Sequence, residues 1–369
     1  GHDRWFGRDG DDQIFGGGGN DRIVGGNGND YIDGGDGDDT ILGGTGGDNI
    51  DGDAGNDSVY GGDGNDELIG DDGDDNLHGE GGTNTISAGD GNDQVRISTG
   101  SDTVDGGTGD DLLVVRNGLA NVTANLQTGD VSVAGFGTST VTNFDSVFTE
   151  EGDDTVTGNA AGNRLYVYEG DNIVFGGAGN DSILIGNGNN TIDGEAGSDT
   201  VIFSSNVVTE VTVDLSAGTA SVMGGGNSTL MNIDGVATGS GDDDINGNAN
   251  NNGLSGGAGN DTIDGFGGNN TINGGDGNDQ IVGRSGNDTL RGDDGNDVIQ
   301  TGTGVDNILG GDGSDVILLG DLNGDTADGG SDGSIDGIQF NFAQSVNFDL
   351  ATGVATLVGG GGSGTFTNF

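Results

Sequence analysis

The chain has 369 residues, of which 87 are glycine and none is proline or cysteine. A collagen-like helix needs proline, and disulfide frameworks and thiolate metal sites need cysteine; a chain this rich in glycine either stays disordered or repeats one tight turn many times. Its 8 basic residues, all arginine, face 63 carboxylates, and the formal charge of −55 repels nucleic acid and anionic membranes while favouring cations.

No apolar run is long enough to span a membrane, and no segment with a basic start and an apolar middle opens the chain. Residues 1–6 lead almost directly into a repeat, with Arg4, Trp5 and Arg8 either capping the first coil or ending an upstream domain. Residues 366–369 stop inside a recurring motif, so the chain reads as a piece of something longer.

Taken in order, residues 1–114 contain 12 nine-residue units that run without a gap from residue 7, among them GGNGNDYID at 25–33 and GGDGDDTIL at 34–42. Residues 115–148 interrupt the period, 149–202 restore it for 6 units, 203–237 interrupt it again, 238–318 carry 9 more units, and 319–369 form a last interruption that is cut off. The interruptions resemble one another: NVTANLQTGDVSV from Asn121, EVTVDLSAGTASV from Glu210 and SVNFDLATGVATL from Ser345. Their alternation of apolar and polar residues reads as short strands around a turn that widen or re-register the repeat.

Across the 27 units the eighth position is always Ile, Leu or Val, from Ile14 and Ile23 to Ile308 and Ile317. The fourth is glycine in 25 units, Ala161 and Asn250 being the exceptions. One aliphatic residue in nine suits neither a helical stripe nor a long alternating strand, so positions seven to nine form a short strand with only the middle side chain inward, and the first six residues form a turn. Two units closing one coil of 18 residues stack equivalent strands about 4.8 Å apart in parallel sheets on two faces. The fold class is therefore all-β.

A coil that buries only two aliphatic side chains and orders so much glycine lacks the apolar area to fold by itself, and its carboxylates repel one another in rows. The sixth position is aspartate in 21 units: Asp12, Asp21, Asp30, Asp39, Asp48, Asp57, Asp66, Asp75, Asp93, Asp102 and Asp111; Asp154, Asp181 and Asp199; Asp243, Asp261, Asp279, Asp288, Asp297, Asp306 and Asp315. Asparagine replaces it in six, at Asn84, Asn163, Asn172, Asn190, Asn252 and Asn270, where binding is expected to weaken. Carboxylates together with carbonyls freed by glycine turns make an oxygen-only ligand set suited to Ca²⁺; Zn²⁺ wants His or Cys, and the chain has only His2 and His78. With one ion between turns two units apart, the ceiling is 21 ions.

The pattern GGxGxDxUx, with U aliphatic, resembles the RTX (repeats-in-toxin) hemolysin-type calcium-binding family. The resemblance implies a right-handed parallel β roll whose ions are held by the sixth-position aspartates and by turn carbonyls. Those carbonyls would be at Gly19, Gly28, Gly37, Gly46, Gly55 and Gly64, and at Gly259, Gly277, Gly286 and Gly295. It also implies one-step export from a Gram-negative bacterium and folding in extracellular calcium. The function expected is a structural or adhesive segment of a large secreted or cell-surface protein, its partners being calcium ions, further copies in a filament or surface layer, or cell-surface glycans. The alternative is the secretion and folding module of an exported hydrolase or toxin whose catalytic domain lies outside this chain.

Other signals carry less. Asp321 to Asp328 alternate carboxylates like an EF-hand loop, but Thr326 stands where glycine is wanted. A nucleophile-elbow string around Ser331 lacks any α/β-hydrolase context. Pairs such as Asp38 with Asp39 recur at too many turns to be one active site. His78, at a ninth position, points outward, and the irregular third positions (Asp9, Gly18, Asn27, Asp36) do not form an ice-binding array. No enzyme activity is expected.

Overall fold

The computed structural model describes every residue except 99, 117, 331–335, 342–345, 350–353 and 358–362. The Ser331 string and parts of the last interruption lie outside the described residues. The chain forms two compact units, Gly1–Ile183 with Glu195–Gly197, and Leu184–Gly194 with Ser198–Phe369. Among the described residues there is no helix.

The first unit is a solenoid of two parallel sheets. In one, Arg22–Asn27 pairs with Thr40–Thr45 and that with Ser58–Asp63, so that Ile23, Ile41 and Val59 stand in register 18 residues apart. In the other, Gln13–Gly18 pairs with Tyr31–Asp36, bringing Ile14 beside Ile32. The second unit repeats the plan with Thr271–Asp276, Thr289–Asp294 and Asn307–Asp312 in one sheet and Gln280–Ser285, Val298–Thr303 and Val316–Leu319 in the other. All 27 eighth-position aliphatics are buried, most of them completely, and they form the core.

Many strands are longer than the sequence reading expects, while others, such as Asn49–Asp51 and Thr262–Asp264, keep to positions seven to nine. Tyr31–Asp36 covers positions seven to nine and then one to three of the next unit, which leaves only positions four to six to turn. The second position takes a left-handed φ that bends the strand without ending it, most often with glycine but also with Asp71, Arg284 and Asp293. Gly26 and Gly44 both have φ of 122°, and a Cβ on Gly44 would strike the Gly26 carbonyl oxygen, so the backbone bends there while neighbouring coils stay paired.

Residues before the first full unit join the same order. Arg4–Asp9 is a strand, Trp5 pairs with Ile23 in the inward column, and Trp5 remains 43% exposed.

Each interruption is a three-stranded antiparallel insert in one sheet. In the first unit Gly137–Thr142 pairs parallel with Thr103–Thr108, Asp130–Val133 runs antiparallel beside it, and Val122–Asn125 completes the insert and pairs parallel with Thr155–Thr157. The opposite sheet passes directly from Leu112–Val115 to Ser146–Thr149. One sheet thus gains two strands over its partner. The second unit does the same with Gly226–Met231, Thr219–Val222 and Val211–Asp214. Its last insert, Val346–Asp349, Val354–Leu357 and Ser363–Thr367, instead extends the sheet of Asn307–Asp312 through Thr326–Asp328.

Replacing Gly44 by alanine is expected to lower stability by about 2 kcal/mol or more, through the left-handed φ and the blocked approach of Gly26. Thr45→Ala, an exposed neighbour, should change it by less than about 0.5 kcal/mol. Thermal melts of both variants at saturating calcium check the contrast.

Candidate metal centre

The turns bring the sixth-position carboxylates into rows. Asp21, Asp30, Asp39, Asp48, Asp57, Asp66, Asp75, Asp93, Asp102, Asp111, Asp154 and Asp181 are buried in the first unit, and Asp12 is half-buried. Asp199, Asp243, Asp261, Asp279, Asp288, Asp297, Asp306 and Asp315 are buried in the second. Successive members of a row within a block are 18 residues apart, and one oxygen of most has a fixed partner. Oδ1 of Asp48 accepts the Asp30 backbone N–H at 2.8 Å, that of Asp57 accepts from Asp39 at 2.7 Å, and that of Asp297 accepts from Asp279 at 2.8 Å. Each of these aspartates therefore hangs its turn on the turn before it.

In many of them the second oxygen has no such partner. Oδ2 is buried without a hydrogen bond at Asp30, Asp39, Asp48, Asp57, Asp66, Asp75 and Asp93, and at Asp261, Asp279, Asp288, Asp297 and Asp306. A buried carboxylate oxygen left this way is costly, and a row of them requires a counter-charge. In most of these units the Oδ2 lies where a first-position glycine has no side chain; Ala88 and Thr301 hold that position before Asp93 and Asp306. A Cβ on Gly43 would collide with Asp48 Oδ2 and crowd the Gly61 carbonyl oxygen, and one on Gly292 would collide with Asp297 Oδ2 and crowd the Gly310 carbonyl oxygen.

The fourth-position glycines Gly19, Gly28, Gly37, Gly46, Gly55, Gly64, Gly259, Gly277, Gly286 and Gly295 all have φ between 101° and 155°. Their carbonyls are directed at the next coil, since a Cβ on Gly46 would meet the Gly28 oxygen and one on Gly295 the Gly277 oxygen. Among the described residues no three His, Cys, Asp or Glu side chains cluster. A cation held here would take single carboxylates and complete its shell with carbonyls, a donor set that Ca²⁺ accepts and Zn²⁺ does not.

The asparagine units test this fit from within the molecule. Asn84 Oδ1 accepts the Asp66 N–H at 2.9 Å as an aspartate would, but its Nδ2 donates to the Gly79 carbonyl at 3.1 Å. Asn270 likewise donates to the Gly265 carbonyl at 3.2 Å. The amide N–H supplies internally the positive partner that a carboxylate must find in a cation.

Several members of these rows were missed by counting nines. Asp325 is buried, accepts the Asp306 N–H at 3.0 Å, and has its Oδ2 unpartnered. It joins the row rather than forming a separate EF-hand-like loop. Asp336 accepts from Asp315 N–H at 3.0 Å, Asp145 from Asp111 at 3.3 Å, and Asp234 from Asp199 at 3.3 Å. The signal available was an aspartate two residues before an inward apolar side chain, here Val147, Val236, Ala327 and Ile338.

A model of the RTX calcium-binding nonapeptide repeat matches residues 6–41, 33–68, 42–77, 60–95, 98–118, 145–183, 186–205, 248–281, 264–299, 282–317 and 291–326. The chain belongs to this family. It is a calcium-binding repeat protein, and its fold is the family's parallel β roll. No curated protein matches the chain. Among solved structures it is similar to a hyperactive, Ca²⁺-dependent, β-helical antifreeze protein from an Antarctic bacterium, at 20% identity over 84% of each chain with a TM-score of 0.21. Nothing further about this RTX chain follows from that likeness.

Without metal, the RTX rows hold protons. Burial first, and then the neighbouring row carboxylates, raise Asp57, Asp75, Asp261 and Asp297 to about 7 and Asp48 and Asp111 to about 6. The unfolded value is about 3.9, so between about pH 4 and 7 the metal-free fold binds more protons than the unfolded chain. Its stability is therefore greatest at the acid end of that window and falls as pH rises through about 7. Circular dichroism of the chelated chain is expected to gain β signal when pH drops from about 8 to about 5; an unchanged or weaker signal would contradict this.

The asparagine geometry leads to a second expectation for the RTX rows. Asp57→Asn combined with Asp75→Asn should make the chelated chain more resistant to denaturant while reducing its stabilisation by calcium. Urea melts with and without calcium measure both changes.

Proposed function

We propose that the chain is a calcium-folded structural or adhesive segment of a large secreted or cell-surface bacterial protein. Calcium ions, up to 21, would lie between turns two units apart. The ligands would be the sixth-position aspartates, joined by Asp325, with the first- and fourth-position carbonyls around them. The observation that carries this reading is the row of buried Oδ2 atoms without partners, repeated in both units. Low cytoplasmic calcium would leave the rows uncompensated and the chain open for export, and millimolar calcium outside would close it, so that binding and folding are one equilibrium. Stacked ions would also stiffen the solenoid, which suits a spacer or adhesive arm. The reading assigns the chain no catalytic residue.

Titrating calcium into the chelated chain should produce a cooperative coil-to-β transition in far-ultraviolet circular dichroism, and magnesium at the same concentration should not. A chain already fully β-folded in chelator at neutral pH would remove calcium as the cause of folding.

A further inference from the structure

The outer face of one sheet in the first unit carries a feature that the calcium rows do not use. Tyr60, His78, Arg96 and Val114 occupy ninth positions in register on neighbouring strands. His78 points away from the coil interior as the sequence reading expects, yet it is only 6% exposed. Tyr60 covers it with 4.5 Å between ring centroids, and Arg96 approaches from the other side. Arg96 Nη1 lies 3.4 Å from His78 Nδ1, and His78 Nε2 lies 2.9 Å from Asn76 Oδ1. A guanidinium only donates, so Nδ1 accepts and Nε2 carries the proton given to Asn76. Burial, then the charges of Arg96 and Arg116, lower the histidine pKa to about 4. At neutral pH the positive charge of this patch therefore belongs to the two guanidinium groups.

Beside the column opens a cavity of about 390 Å³ lined by His78, Glu80, Gly81, Arg96, Ser98 and Arg116. Two of the eight arginines of a chain with net charge −55 meet at this one place. Arg116 is paired with Glu150 at 2.9 Å. Arg96 has no carboxylate at ion-pair distance among the described residues, and its Nε–H is buried without an acceptor. Ser98 donates its hydroxyl to the Glu80 carbonyl at 2.8 Å, which leaves the hydroxyl oxygen able to accept.

We propose that this cavity binds a hexuronate, an acidic sugar whose carboxylate pairs with Arg96 and whose hydroxyls donate to Glu80 and Ser98. Arg116, whose charge is already met by Glu150, stands in the same lining. A volume of this size suits one sugar ring, and planar bidentate recognition of carboxylate is what arginine does best. Inorganic phosphate offers the same oxyanion chemistry but no hydroxyl donors, and the Glu80 carboxylate in the wall disfavours a bare dianion. The proposal rests on the calcium-folded reading for the integrity of the sheet and gives the adhesive role a ligand class.

The test is calorimetric titration of the calcium-saturated full chain with glucuronate, with glucose and inorganic phosphate as separate probes. Circular dichroism is recorded before any sugar is added. The expected result is saturable glucuronate binding, none for glucose, and binding weaker by about tenfold or more in Arg96→Gln with an unchanged spectrum. Uronates also chelate exposed calcium, so the comparison with Arg96→Gln isolates the cavity; should that variant fail to fold, Arg116→Gln replaces it. No glucuronate binding by a β-folded chain, binding that neither variant weakens, or phosphate binding in place of glucuronate would each overturn the proposal. A chain that is β-folded without calcium would end the preceding reading, while the sugar titration would still be run and read in the same way.

Discussion

The structure depends on a carboxylate that is half satisfied. Along the rows a sixth-position aspartate gives one oxygen to the backbone N–H of the turn before it, as Asp48 does for Asp30 and Asp57 for Asp39, and these side chains bury the other with nothing to bond. The first contact stacks the coils in register. The second makes that stacking unfavourable until a cation or a proton arrives. The same side chain therefore builds the solenoid and withholds its stability, which in the proposed reading makes folding a response to calcium.

Glycine makes this arrangement possible at three places in the unit for three different reasons. At the first position it leaves room for Oδ2, as Gly43 does for Asp48; at the second it lets the strand bend without losing its neighbour, as at Gly44; at the fourth it takes the left-handed turn that directs a carbonyl toward the next coil, as at Gly46. Besides the aliphatic column and the backbone ladders, the rows are what differs from coil to coil, so local stability follows them. Where asparagine replaces aspartate, as at Asn84 and Asn270, the turn closes on its own amide, and such units need the metal least.

The inserts show how tolerant the plan is. A solenoid contacts only its neighbouring coils, so three antiparallel strands can enter one sheet provided that their outer edges still offer a parallel partner. Gly137–Thr142 and Val122–Asn125 do so on either side of Asp130–Val133. The aspartate rows take up their register again beyond the insert, because Asp145 and Asp154 receive the same kind of backbone N–H, from Asp111 and Val122.

The spacing of nine, with its aliphatic eighth residue and acidic sixth residue, was enough by itself to determine a parallel all-β coil, its core column from Ile14 to Ile317, and the candidate oxygens for calcium. That is because a strict period maps each residue onto the same place in every coil. Only the tertiary structure decided that many strands extend through the third position, that the last insert lies in the other sheet from the one before it, and that Asp325, Asp336, Asp145 and Asp234 continue the rows after the count of nine has slipped. It alone brought His78, Arg96 and Arg116 to one cavity. These features depend on which strands become neighbours and which side chains cover one another across coils, and a residue count along the chain carries neither.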